Sequence, residues 1–146
     1  MAGNLKIGEV AAQSGLSVKT IRFYAESGLL KPVMGRSPSG YRLFTPGVLN
    51  RLAFIKRSQS LGLSLQDIQE LLNVHDRGSL PCGAVKARLD AKLQDIQAQI
   101  AALAILQAEL EGILSGWQDQ PPAHLIGQTI CPNLQQPTAG VREKAM

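Results

Sequence analysis

Aromatic residues and cysteine are both scarce in this chain. One Trp, two Tyr and three Phe make up 4% of 146 residues. A core must therefore come from the plentiful Leu, Ile, Val and Ala, which suits a small helical protein. Two cysteines are too few for the disulfide framework of a small secreted domain. No run approaches the ~18 apolar residues that span a bilayer. The opening MAGNLKIGEV has no apolar core of signal-peptide type. These absences predict a cytoplasmic protein with no membrane partner. Its thiols would serve metal binding, redox sensing or plain burial. No nucleophile–base pair, phosphate-binding glycine loop or pocket-like carboxylate pair stands out, so an enzyme is not expected.

Charge is unevenly spread. Residues 1–75 carry nine Lys/Arg against four Asp/Glu, whereas residues 76–146 carry six against seven. A basic first half beside a near-neutral second half points to nucleic-acid binding in the first.

Proline is absent between Pro81 and Trp117, and there the apolar residues recur every seven. One series is Cys82, Leu89, Ile96, Leu103, Leu110 and Trp117. The other is Lys86, Leu93, Ile100, Gln107 and Leu114. Eight of these eleven positions are apolar and a ninth is Cys82. That spacing predicts a long helix with a coiled-coil seam, which asks for a second copy of the chain. Ser79 is the expected N-cap and Cys82 lies in the first turn. Free amide donors and the helix dipole favour a thiolate there. The alternative is a small, inert seam residue.

The first half reads as short helices and a hairpin. Ile7–Ala12 is helical, Ser14-Gly15 breaks it, and Ser17 caps a second helix running to about Gly28. Thr20, Arg22 and Tyr24 lie near the end that would enter a major groove, with Ile21 and Phe23 partly core. Ser37-Pro38-Ser39-Gly40 reads as a hairpin turn and Tyr41–Phe44 as its return strand. In such a wing Arg36, Tyr41 and Arg42 would point at the sugar-phosphate backbone or the minor groove. Thr45 is the expected cap of a helix with Pro46 at its first position, Leu49, Leu52 and Ile55 inward, and Arg51, Lys56 and Arg57 outward. Arg57 completes the candidate DNA contacts. Ser64 caps a further helix, and His75–Ser79 reads as a linker.

IGEVAAQSGLSVKTIRFYAESGLLKP, followed by GRSPSGYRLFTPGVLNRLAFIKRSQSLGLSLQDIQELL, resembles the MerR family of bacterial transcriptional regulators, without a gap from Leu5 to Leu72. The resemblance implies a mainly all-α fold with a small β-wing, a winged helix-turn-helix and a long antiparallel coiled-coil dimerisation helix. It implies a homodimer that binds double-stranded promoter DNA and distorts it so that RNA polymerase engages. The expected organisation is a DNA-binding domain over 1–75, the dimerisation helix over 80–118, an effector loop over 119–136 and a disordered tail over 137–146.

No large domain follows the long helix, which looks like the metal-sensing branch. In that branch a cysteine opens the dimerisation helix and another sits in a C-terminal loop before proline, as Cys82 and Cys131-Pro132 do. Reversing the seam about Ile100 sets residue 82 of one chain near residue 118 of the other, so a bridging metal is implied. One departure matters. The branch usually carries another cysteine eight or nine residues before the later one, where this chain has Ala123 and Pro122. Two thiolates suit Hg(II), the favoured ion, or Cu(I). His124 or, less directly, His75 could complete a site for Zn(II), Cd(II) or Pb(II). A reversible disulfide between Cys82 and Cys131, serving redox sensing, is the alternative.

Overall fold

The computed structural model describes residues 4–135. The disordered tail expected over 137–146 lies outside them. The chain divides into two compact units that part at Leu93 and Gln94, and each is described by itself.

In the first unit, strand β1 (Leu5–Lys6) leads directly into helix α1 (Ile7–Ser14). Gly15 ends α1 with φ 77°, a left-handed conformation that glycine adopts without strain. Helix α2 (Val18–Glu26) starts where Ser17 Oγ accepts the Thr20 amide at 3.0 Å. The wing is strand β2 (Met34–Arg36) against strand β3 (Arg42–Phe44), antiparallel, with Gly35 opposite Leu43. Its turn closes through Ser37 and Tyr41, whose N–H and C=O are 2.8 Å apart. β1 adds a third strand on the far side of β3, pairing Leu5 with Phe44. Two residues are too short for an alternating pattern to reveal.

Helix α3 (Gly47–Ser60) begins later than expected. Pro46 is its cap, and Thr45 contributes its carbonyl, which accepts from Val48 at 2.9 Å. Helix α4 (Leu65–Asp76) opens on a capping box between Ser64 and Asp67. It runs on through His75 and Asp76, which the sequence placed in a linker. The core joins Val10, Ile21, Leu29, Leu30, Phe44, Val48, Leu52, Ile55, Ile68 and Leu71, all at most 1% exposed.

Arg51 corrects the reading of α3. It is 6% exposed, on the inner face with Val48, Leu52 and Ile55. Its Nε donates to the Leu29 carbonyl at 2.5 Å, and its two terminal nitrogens grip the Asp76 carboxylate at 2.7 and 3.0 Å. A buried guanidinium is stable only with such full pairing.

Helix α5 (Cys82–Ser115) begins when the Pro81 carbonyl accepts from Val85 at 2.8 Å. Ser79, the expected N-cap, instead donates its amide to Val74. The first three turns belong to the first unit. Ala84, Val85 and Leu89 pack against its core, and Arg88 pairs with Asp67 at 2.6 Å and with Glu70. This packing carries the unit to Leu93, past the boundary expected near residue 75. Lys92 lies over the α3–α4 turn, where a Cβ on Gly62 would come within 2.7 Å of its Cε.

In the second unit α5 continues with its apolar seam uncovered. Ile96 is 44% exposed and Ile100 61%. The helix is long enough to cross a membrane, and its most apolar window averages a hydropathy of 1.2. Gln97, Gln99, Gln107, Glu109 and Glu111 nevertheless interrupt that surface on alternate faces. After α5 comes a short 3-10 turn, Ala123–Gly127.

The Arg51 pairing holds the Asp76 carboxyl below the usual carboxylate range, and His75 at 3.3 Å adds to the effect against the opposing influence of burial. A lowered folded-state value contributes stability that is present in full above the unfolded carboxylate range, about pH 4. It is lost as pH falls through the lowered value. Asp76→Asn is therefore expected to cost about 1–3 kcal/mol in urea unfolding at pH 7. The gap to the parent should close as the titration moves below about pH 4.

Candidate nucleic-acid interface and effector loop

α2 presents one face to the core and the other to solvent. Ile21, Tyr24 and Ala25 are buried, at the i, i+3, i+4 spacing of a single helical stripe. Arg22 and Phe23 are exposed, Phe23 by 51%. The expected roles of Phe23 and Tyr24 are thus exchanged. At 100° per residue, position 23 points away from the stripe that position 21 begins. Tyr24 is 5% exposed and its hydroxyl donates to Gln59 Oε1 on α3. Burial pushes this phenol up from its ordinary value. The ring orients α2 from behind, and is not a free surface group.

Thr20 is half-buried, and its hydroxyl accepts from Ser17 Oγ at 2.9 Å, so it belongs to the cap of α2. Arg22 is free on the surface, and Lys19, which the sequence reading passed over, is exposed one turn earlier. On the wing Arg36 donates to the Gly40 carbonyl at 2.8 Å across the turn. Tyr41 is 47% exposed, and Lys6 of β1 lies 5.4 Å over its ring. Arg42 pairs with Glu26 at 3.5 Å, while its Nε is buried with no hydrogen-bond partner among the described residues. Arg57 is exposed near the end of α3. The unit therefore offers cations from α2, the wing and α3 on one compact scaffold.

Cys82 is the first residue of α5 and is exposed. It stands at the rim of a groove of about 810 Å³ that is lined chiefly by Val33, Phe54, Leu71, Leu72, Val85 and Leu89. His75 lies at the same rim. Cys131 is half-buried in the second unit, and both thiols are free. His124 is exposed in the 3-10 turn. Among the described residues no three His, Cys, Asp or Glu side chains converge as metal ligands.

The loop after α5 is built more closely than its sequence suggests. Asn133 Oδ1 accepts from the Gln118 amide, and Asn133 Nδ2 donates to the Gln118 carbonyl, each at 2.9 Å. Gln135 Oε1 accepts from the amides of Ile130 and Cys131 at 2.7 and 3.2 Å. Thr129 is 6% exposed. These residues carry no hydrophobic period, and only the Asn and Gln enrichment around Cys131 hints at them.

Replacing Tyr24 with Phe removes one hydroxyl and leaves Gln59 exposed to water. An expected cost of about 0.5–1.5 kcal/mol should appear as a lower urea midpoint.

Comparison with known proteins bears on these features. Residues 5–74 match the model of the MerR HTH family regulatory proteins, and residues 49–113 match that of MerR, DNA binding. The mercuric resistance operon regulatory protein of Bacillus cereus is 38% identical over 105 residues, covering 72% of this chain and 79% of the relative. The transcription regulator PbrR691 from Ralstonia metallidurans CH34, solved in complex with lead(II), shares 34% identity with a TM-score of 0.68, over 82% of this chain and 92% of that one. The regulator MerR from Bacillus megaterium MB1, solved with mercury(II), shares 32% identity with a TM-score of 0.55, over 80% and 90%. These relatives are regulators and not enzymes. The chain belongs to the MerR family of helix-turn-helix, DNA-binding transcription regulators.

Proposed function

We propose that this regulator responds to a thiophilic metal, Hg(II) before others, held between Cys82 of one chain and Cys131 of the partner subunit. The observation that carries the reading is the pair of free thiols, one heading α5 and one in the loop that follows it. Two thiolates match a soft ion that accepts linear coordination, whereas Zn(II) asks for four donors. The relatives support the metal class: one regulates a mercuric resistance operon, and two were solved with lead(II) or mercury(II).

The bridge requires a homodimer. The uncovered seam from Leu93 to Leu114 supports one, since two such stripes placed against each other bury what one chain leaves wet. In the antiparallel register centred on Ile100, position 82 faces position 118, and the loop carrying Cys131 begins there. On DNA, Arg22 reads a base edge or phosphate from α2, while Arg36, Tyr41, Arg42 and Arg57 take the backbone. Thr20 and Tyr24 hold α2 at its correct angle. Metal binding resets the two chains, the bound promoter is distorted, and RNA polymerase in the cytoplasm engages the realigned elements.

A disulfide between the same two thiols is the competing signal, and one design separates the two. Reduced protein is titrated with Hg(II) against a thiol buffer while thiolate-to-metal absorption is followed. Cys82→Ser and Cys131→Ser chains should each lose the absorption as homodimers. Purified mixed dimers of the two should recover about half of it, because one complete Cys82–Cys131 pair is restored. No recovery overturns the bridge. Metal-independent regulation that follows thiol oxidation establishes the disulfide. On the DNA side, Arg22→Ala should weaken promoter binding by about 1–3 kcal/mol at fixed salt. An unchanged affinity removes Arg22 from the interface.

A further inference from the structure

The clasp at the foot of the loop has no role in the fold of the first unit, and nothing in the seam requires it. Asn133 engages both backbone groups of one residue, Gln118, across fifteen positions of sequence. Gln118 follows Trp117 directly, three residues beyond the end of α5. Cys131 lies two residues before Asn133, with its amide fixed by Gln135. A thiol that would otherwise hang on a long loop is thus tied to the tail of α5 through one side chain. The apolar residues around it do not explain the order: Ile130 is 95% exposed, Ile126 87% and Leu134 67%.

We infer that Asn133 is a positioning residue that transmits ligand binding at Cys131 to the end of helix α5. This rests on the metal-site reading above. The amide is suited to the task because it pairs with an N–H and a C=O together, so it resists rotation as well as displacement. A force on Cys131 then moves the Gln118 backbone and the last turn of α5. Without the clasp, the loop absorbs the movement. Gln135 acts on the same turn by accepting from the Ile130 and Cys131 amides.

Trp117 is the chain's single tryptophan, beside the clasp and 42% exposed, so it reports on this point directly. Full-length reduced protein is titrated with Hg(II), and two signals are read: thiolate-to-metal absorption for binding, and the wavelength of maximal Trp117 emission for the helix end. Wavelength is used because a heavy ion dims tryptophan without any clasp. Wild type should show both changes together. Asn133→Ala should keep the stoichiometry, bind about 10-fold more weakly, and lose the emission shift and the metal-dependent promoter activation even at saturating metal. Asn133→Asp keeps the acceptor for the Gln118 amide and loses the donor, so it should fall between the two. A full emission shift and full activation in saturated Asn133→Ala overturn the coupling and leave the metal site standing. Absence of Hg(II) binding by wild type overturns the metal site, and the coupling with it.

Discussion

The buried guanidinium of Arg51 is the interaction on which the DNA-binding unit depends. Among the described residues it is the one charged side chain in the core. Its three hydrogen bonds reach the chain just after α2, at Leu29, and the last residue of α4, Asp76. It therefore sets the exit of α2 and the exit of the helix that leads to α5. Neither contact could be lost singly without leaving a buried donor unpaired, which is costlier than never having placed it there. Gly78, with φ 97°, turns the chain out of α4 just past its Arg77 cap, and Cys82 opens the next helix four residues later.

From that corner the rest of the first unit is fixed by short-range chemistry. Ser17 and Ser64 start α2 and α4, while Gly15 ends α1. Arg88 and Leu89 then attach the head of α5 to α4. A helix attached this way does not hinge freely at its first turn. The direction of its first three turns is a property of the DNA-binding unit.

The caps at Ser17 and Ser64, the stop at Gly15 and the wing turn were legible because each is signalled within a few residues. What was hidden depends on distant partners. The inner position of Arg51 follows from the helical stripe through Val48, Leu52 and Ile55, yet its charge argued for the surface until Asp76, twenty-five residues away, supplied a partner. Phe23 and Tyr24 are adjacent and similar in size. Only the phase of α2, together with a polar acceptor at Gln59 for the hydroxyl, decides which ring goes in. β1 is too short to show a pattern, and it exists because β3 offers an edge. Asn133 and Gln135 have no periodicity to betray them, since a clasp needs one residue and a backbone. The two cysteines were conspicuous from the start, but no spacing along one chain says that their proposed partners are on another.

In the proposed site, that feature is what would let two donors suffice for a switch. A ligand shifts a conformational equilibrium only by the difference in its affinity for the two states. A site complete within one rigid unit would bind in either arrangement of the dimer and shift nothing, however tight it was. In the proposed site each chain supplies a single thiolate, and the affinity added by the second thiolate is available only when the two chains are aligned. A third cysteine in the loop would strengthen binding to one chain by itself and reduce that difference. In the proposed site, alanine and proline at 123 and 122 leave no such third thiol.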